Sequence, residues 1–178
     1  MTQAFRFCPV CATPLMSVEM AGARRLSCSE PRCQFVHWDN PVPVVAAIVE
    51  YEGKVLLARN VAWPPQWYAL ITGFLERGES PEEGVMREVK EETNLDPQGA
   101  EFVGIYEFHR MNQLIIAYHV PATGTVKLNE ELNDFRLDPL DQVQYWEAGT
   151  GYALRDWLRG KGHDPKVIGW AGEATRQQ

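Results

Sequence analysis

The stretch Gly73-Phe74-Leu75-Glu76-Arg77-Gly78-Glu79-Ser80-Pro81-Glu82-Glu83-Gly84-Val85-Met86-Arg87-Glu88-Val89-Lys90-Glu91-Glu92-Thr93-Asn94-Leu95 decides the reading of this chain. Its second half is a helix by several independent signals. Ser80 suits an N-cap, Pro81 the first helical position, and Glu83 closes a capping box. Asn94 fits a left-handed C-terminal cap, so the predicted helix runs from Pro81 to about Thr93. Glu88, Glu91 and Glu92 sit at i, i+3 and i+4, within roughly one 100° arc of that helix. Val85 and Val89, with Met86 beside them, form a separate apolar face that can anchor the helix to a sheet. Three crowded carboxylates repel one another. They make either a solvated acidic face or a site for a hard cation such as Mg²⁺ or Mn²⁺, which takes oxygen ligands and shares them with substrate phosphates. Clustering without interleaved cations, at the end of a strand and tight loop where α/β ligand sites form, favours the cation site.

Outward from this helix, residues 44–51 read as a buried strand, Glu52-Gly53 as a turn and residues 54–59 as the returning strand. Residues 61–66 read as a loop. A short strand is expected over 68–72, ending at Gly73. Residues 101–109 and 114–120 read as a strand pair turned at 110–113, residues 134–137 as a short strand, and 151–159 as a closing helix stopped by Gly160. Alternating strands and helices give an α/β fold.

The 178 residues suit one medium domain with room for a small module. A net charge of −7 argues against broad binding to nucleic acid or anionic membranes. It does not exclude a phosphate substrate, since a divalent cation reverses the local sign. The start of the chain has no signal-peptide pattern and no run approaches a membrane span, so a cytoplasmic location with no membrane partner is expected.

All four cysteines precede residue 34, as Cys8-x2-Cys11, sixteen residues, then Cys28-x4-Cys33. Close-spaced pairs in a cytosolic chain suit a structural Cys₄ zinc site; free thiols are the alternative. Pro9 and Pro31 fit tight knuckles, and the x4 spacing requires the second knuckle to bulge. His37 is a further candidate ligand, or a surface or packing histidine. A Pro-rich joint follows at 39–43. The expected organisation is a zinc module over residues 1–38 and the α/β domain over 39–178.

Residues 73–95 resemble the Nudix box, Gly-x5-Glu-x7-Arg-Glu-U-x-Glu-Glu-x-Gly-U with U aliphatic. Gly73, Glu79, Arg87, Glu88, Val89, Glu91, Glu92 and Leu95 match, and Asn94 replaces the last glycine with the residue that best tolerates a left-handed cap. The resemblance implies an α/β/α sandwich around a mixed sheet and hydrolysis of a nucleoside diphosphate linked to another moiety. It implies that Glu88, Glu91 and Glu92 hold Mg²⁺ or Mn²⁺, that Gly73 offers its carbonyl, and that Arg87 orients the glutamates through an ion pair with Glu79. Glu79 joins the metals directly or through water. The metals would neutralise the pyrophosphate and activate water for in-line attack. The general base is not assigned; Glu130 and Glu131 are candidates outside the box, or members of a solvated loop.

A cysteine module before such a domain is similar to the NADH-pyrophosphatase-like and ADP-ribose-pyrophosphatase-like subgroup, whose zinc ribbon is structural. Residues 35–41 resemble the joint between its two parts, and relatives are commonly homodimers. True NADH pyrophosphatases carry Ser-Gln-Pro-Trp shortly after the box. This chain has Gly104-Ile105-Tyr106-Glu107-Phe108-His109-Arg110 there. ADP-ribose or FAD is therefore the leading expected substrate. NADH or NAD, a nucleoside triphosphate, or a non-catalytic nucleotide-binding role are the alternatives. Trp63, Trp67, Tyr106 and Phe108 could stack on a base or serve as packing. Arg59 and Arg110 could meet a phosphate or ribose or be ordinary surface arginines.

Overall fold

The structure, a computed structural model, describes residues 5–168. The chain divides into two compact units with the boundary between Pro41 and Val42. The first is built on three antiparallel strands, β1 (Leu15–Met20), β2 (Ala23–Cys28) and β3 (Val36–His37). Ala21 and Gly22 both have positive φ, 51° and 76°, the backbone of a tight two-residue hairpin turn, and this fixes Met20 opposite Ala23. The weak apolar periodicity of this part hid its strands. None of their residues belongs to a buried core cluster among the described residues.

The second unit is a seven-stranded mixed sheet with a helix on each face. Its elements are β4 (Val42–Tyr51), β5 (Lys54–Asn60), β6 (Ile71–Phe74), α1 (Pro81–Thr93), β7 (Asp96–Pro97), β8 (Glu101–Phe108), β9 (Gln113–Thr123), β10 (Leu132–Pro139) and α2 (Thr150–Gly160). The strand order is β10-β5-β4-β9-β7, with β6 pairing β4 and β8 pairing β9. β4 and β9 run parallel; the other pairs are antiparallel. Central β4 explains its own sequence. Val44 to Val49 are all buried because both faces are covered. Val45, Ala47 and Val49 pack with Val85 and Val89 of α1. Ile48 packs with Leu154 and Leu158 of α2, and Ala46 with Ala153. The expected α/β/α sandwich is present.

Several boundaries differ from expectation. The strand expected over 68–72 is β6 at 71–74: Ala69 makes only a single bridge to Ala58, and pairing with β4 continues through Gly73 to Phe74, opposite Val44. The turn at 110–113 is a 3₁₀ turn, His109–Met111, closed by Asn112 at φ 51°. The strand expected over 134–137 is eight residues long, because it follows β5 along its whole length with one irregularity between Leu132 and Asp134. Among the described residues no helix is long and apolar enough to cross a membrane.

Candidate metal and nucleotide site

α1 is capped as its sequence dictates. The Ser80 hydroxyl accepts from the Glu83 amide at 3.2 Å, and the Ser80 amide donates to the Glu83 carboxylate at 2.8 Å. Asn94 closes the helix at φ 61°. The caps fix the phase of the helix and so fix where its glutamates point.

Arg87 is the hub. Its Nε and Nη2 donate to the two oxygens of Glu79 at 3.0 and 2.7 Å, a side-on fork. Its Nη1 reaches Glu88 at 2.7 Å and Glu91 at 3.2 Å, and Nη2 also meets the Phe74 carbonyl at 3.2 Å. The guanidinium holds the Glu79 carboxyl down at about 2, helped by a hydrogen bond from the Glu76 amide. Glu88 is pushed up by burial, against the opposing pull of Arg87.

Glu92 differs from its neighbours. It is 8% exposed, and no cation among the described residues pairs with its carboxylate. Burial pushes it up to about 8, with further contributions from the charges of Glu88, Glu131 and Glu91. A buried carboxylate with no partner costs folding energy unless something positive joins it. Glu131 comes near because the loop after β9 packs on the end of α1, with the Lys127 and Asn129 amides donating to the Thr93 and Glu92 carbonyls. Glu130 is exposed in the same loop.

Gly73 is where a side chain would destroy the arrangement. A Cβ there would lie 1.9 Å from Cδ and Oε1 of Glu88. The Glu88 carboxylate therefore lies directly against the backbone of β6. Oxygen-only donors, an orphan buried carboxylate and a cradle that a Cβ would fill all suit a hard divalent cation. The glutamates are not gathered as tightly as a ligand set. Among the described residues, only the cysteines bring three or more ligand atoms within 4.8 Å of one another. Arg87 Nη1 pairs with both Glu88 and Glu91.

On the other side of the same strand lies a cavity of about 530 Å³, the size of a small-molecule site. Thr72, the neighbour of Gly73, lines it, together with Trp63, Trp67, Tyr68, Phe108 and Trp146. Of the residues expected to contact substrate, Trp67 lines this cavity, as do Trp63, Phe108 and Arg110. Arg59 and Tyr106 do not. Arg59 is held by Asn133 at 2.8 Å, the Pro65 carbonyl at 2.9 Å and Asp134 at 3.5 Å. Tyr106 packs under α2 and meets Asp156 at 3.2 Å. Sequence reading missed Tyr68, Arg136 and Trp146, which come from distant segments and share no periodic signal. Tyr68 donates to Asp134 at 2.5 Å, and the Arg136 guanidinium lies over its ring at 4.9 Å.

In the N-terminal unit the four cysteines are free and converge. Cys8 and Cys33 sulfurs are 3.6 Å apart, and those of Cys11 and Cys28 are 3.4 Å apart. Zinc–sulfur bonds of about 2.3 Å in a tetrahedron place sulfurs at about 3.8 Å, so the set fits a zinc ion. Amides of Val10 and Glu30 each donate to the sulfur two residues back, at 3.4 Å. The longer spacing of the second pair is absorbed by a turn in which the Cys33 amide meets the Glu30 carbonyl. His37 stands apart, against the Phe5 ring and 3.7 Å from Asp39.

The chain is 30% identical over 158 residues to the NAD-capped RNA hydrolase NudC of Stutzerimonas stutzeri (strain A1501), covering 86% of this chain and 56% of that protein. It is 30% identical over 148 residues to the human NAD-capped RNA hydrolase NUDT12, covering 78% of this chain and 32% of that protein. The chain thus spans about half the length of the bacterial relatives it matches. A NUDIX hydrolase from Nitrosomonas europaea has the same fold, with a TM-score of 0.72 and 24% identity over 93% of this chain and 98% of that one. The NUDIX domain matches residues 40–158, which hold the capped glutamate helix and the sheet beneath it, and the chain belongs to the Nudix family.

Proposed function

We propose that this protein hydrolyses the pyrophosphate bond of a nucleoside diphosphate linked to a second moiety, with a divalent cation on the glutamates of α1. The observation that carries the reading is the buried Glu92 carboxylate, which meets no counter-charge among the described residues, on the helix whose Glu88 lies against Gly73. A solvated acidic face would leave Glu92 in water. Glu88, Glu91, Glu92 and the Gly73 carbonyl are the proposed ligands of Mg²⁺ or Mn²⁺, and Arg87 with Glu79 holds them in position. When bound, the cation neutralises the pyrophosphate and activates the attacking water. Outside the proposed ligand set, Glu130 and Glu131, both exposed in the loop after β9, are the candidate carboxylates to take the proton from that water. The N-terminal module, residues 1–38, is proposed to be a structural zinc ribbon, since four protein sulfurs leave no open position for chemistry.

The substrate reading divides. The missing Ser-Gln-Pro-Trp stretch favours ADP-ribose or FAD. The relatives' names favour an NAD-linked pyrophosphate, and they bring a capped RNA end among the candidates. The expectation of no nucleic acid, drawn from net charge, addresses non-specific polyanion binding and does not exclude a capped end. The aromatic cavity suits a base in either case. The test is a panel of ADP-ribose, FAD, NADH, NAD, NAD-capped RNA and nucleoside triphosphates with Mg²⁺, each followed by product identification. Turnover of triphosphates alone would overturn the reading.

A further inference from the structure

The cavity beside β6 has a chemistry that base stacking alone does not use. The chain is acidic, with 24 Asp and Glu against 17 Lys and Arg, yet among the described residues no acidic side chain lines this cavity and two arginines do, Arg110 and Arg136. Arg136 is already occupied. Its Nε lies 3.1 Å from Asp138 and its guanidinium over Tyr68 at 4.9 Å. Arg110 is different. It sits exposed on the 3₁₀ turn His109–Met111 and forms no ion pair among the described residues. That turn is pinned, since the Asn112 amide meets the His109 carbonyl at 3.1 Å and the Val42 amide meets the Asn112 carbonyl at 2.8 Å. A free guanidinium on a fixed turn, next to the lining residues Phe108 and Met111, is placed to meet an anion carried by a ring inside. The pyrophosphate is not that anion if it lies on the glutamates across β6.

We propose that the cavity selects a nucleoside half bearing a phosphate on its ribose, in addition to the pyrophosphate, and that Arg110 is the specificity-determining residue. This rests on the pyrophosphohydrolase reading for the pairing of the two sites, but the binding claim stands separately. An arginine fork meets a phosphate dianion through charge-assisted hydrogen bonds, and one such contact is worth about ten- to a hundredfold in affinity. A 2′-monoester, a 3′-monoester and a 3′-phosphodiester that continues into a chain all present this chemistry; what they share is a ribose phosphate.

The experiment uses the full chain carrying Glu92→Gln, so that nothing is turned over. AMP, 2′,5′-ADP, 3′,5′-ADP and the dinucleotide pApA are titrated, read by tryptophan fluorescence, since Trp63, Trp67 and Trp146 line the cavity. At least one phosphorylated probe is expected to bind tenfold or more tightly than AMP, and which one does so separates the three sources. Adding Arg110→Ala should bring that ratio close to one, while Arg110→Lys, a point charge without the fork, should retain part of it. Equal affinities for all four probes, or a preference unmoved by Arg110→Ala, would overturn the proposal. Hydrolysis is then compared for NADH and NADPH with unmodified enzyme. Failure to cleave either of these, or ADP-ribose or FAD, with the binding preference intact would sink the hydrolase reading and leave the subsite. Cleavage of both at equal kcat/KM, without a binding preference, would sink the subsite and leave the hydrolase.

Discussion

Replacing Glu92 with glutamine should stabilise the metal-free protein at high pH while disabling it. The carboxyl sits at about 8 in the fold against an ordinary value of 4.5. Its folded-state value is raised, so its favourable contribution is complete below about pH 4.5 and is lost as pH rises through about 8. The total loss is on the order of 5 kcal/mol, at 1.36 kcal/mol for each pKa unit. The glutamine side chain of the variant would not titrate, but its amide would lack a partner at a roughly constant cost of about 1–3 kcal/mol. In EDTA the Glu92→Gln variant should therefore melt below the parent at pH 5 and above it at pH 8.5. The difference at pH 8.5 is about 2–4 kcal/mol, which for a chain of this size is roughly 5–15 °C. Mg²⁺ should raise the parent's melting temperature at pH 8.5 and do much less for the variant. Turnover with Mg²⁺ should fall by about a hundredfold or more, the scale of removing one preorganised electrostatic group. The assay is thermal unfolding at both pH values, with EDTA and with Mg²⁺. A parent-to-variant difference that does not change sign with pH, or equal stabilisation of both by Mg²⁺, would refute the claim that Glu92 is an orphan charge awaiting a cation.

Two glycines separate function from folding. The nearest atoms that Gly73→Ala meets are the flexible end of Glu88, so the protein should fold with little change in melting temperature but lose activity about tenfold or more. Gly151→Ala places its Cβ 1.9 Å from the Trp146 carbonyl oxygen, which is backbone, and should destabilise by about 1–3 kcal/mol or more in denaturant unfolding. For the cysteine module, elemental analysis should find about one zinc per chain. Cys33→Ser should lower that value and expose the module to proteolysis while the second unit keeps its unfolding transition, because structural zinc supplies roughly 10–16 kcal/mol to modules of this kind. A zinc content near zero in freshly purified, reduced protein would refute it.

The part of the fold most legible in sequence is the part with local rules. The capping box at Ser80 and Glu83, the left-handed Asn94 and the buried faces of Val85 and Val89 could all be read within a few residues of one another. The Arg87–Glu79 pair was also legible, but through family resemblance, since eight residues separate the two along the chain. What could not be read depends on contacts between distant segments. The three N-terminal strands show little apolar period, and none of their residues belongs to a buried core cluster among the described residues. The burial of Glu92 depends on the loop carrying Lys127, Asn129 and Glu131, which only the sheet brings to the end of α1. The same is true of the cavity. Trp67 and Phe108 could be suspected as aromatics, whereas Arg59 and Tyr106 were equally plausible until Asn133 and Asp156 were seen to hold them.

Metal-dependent cleavage at the pyrophosphate is tested by mass spectrometry of the products formed from ADP-ribose, FAD and NADH in H₂¹⁸O with Mg²⁺. AMP and the complementary monophosphate are expected, with a single ¹⁸O on phosphorus, and about a hundredfold less labelled product in the Glu92→Gln reaction. No cleavage of any of the three with Mg²⁺ or Mn²⁺, or cleavage that survives Glu92→Gln undiminished, would contradict the assignment.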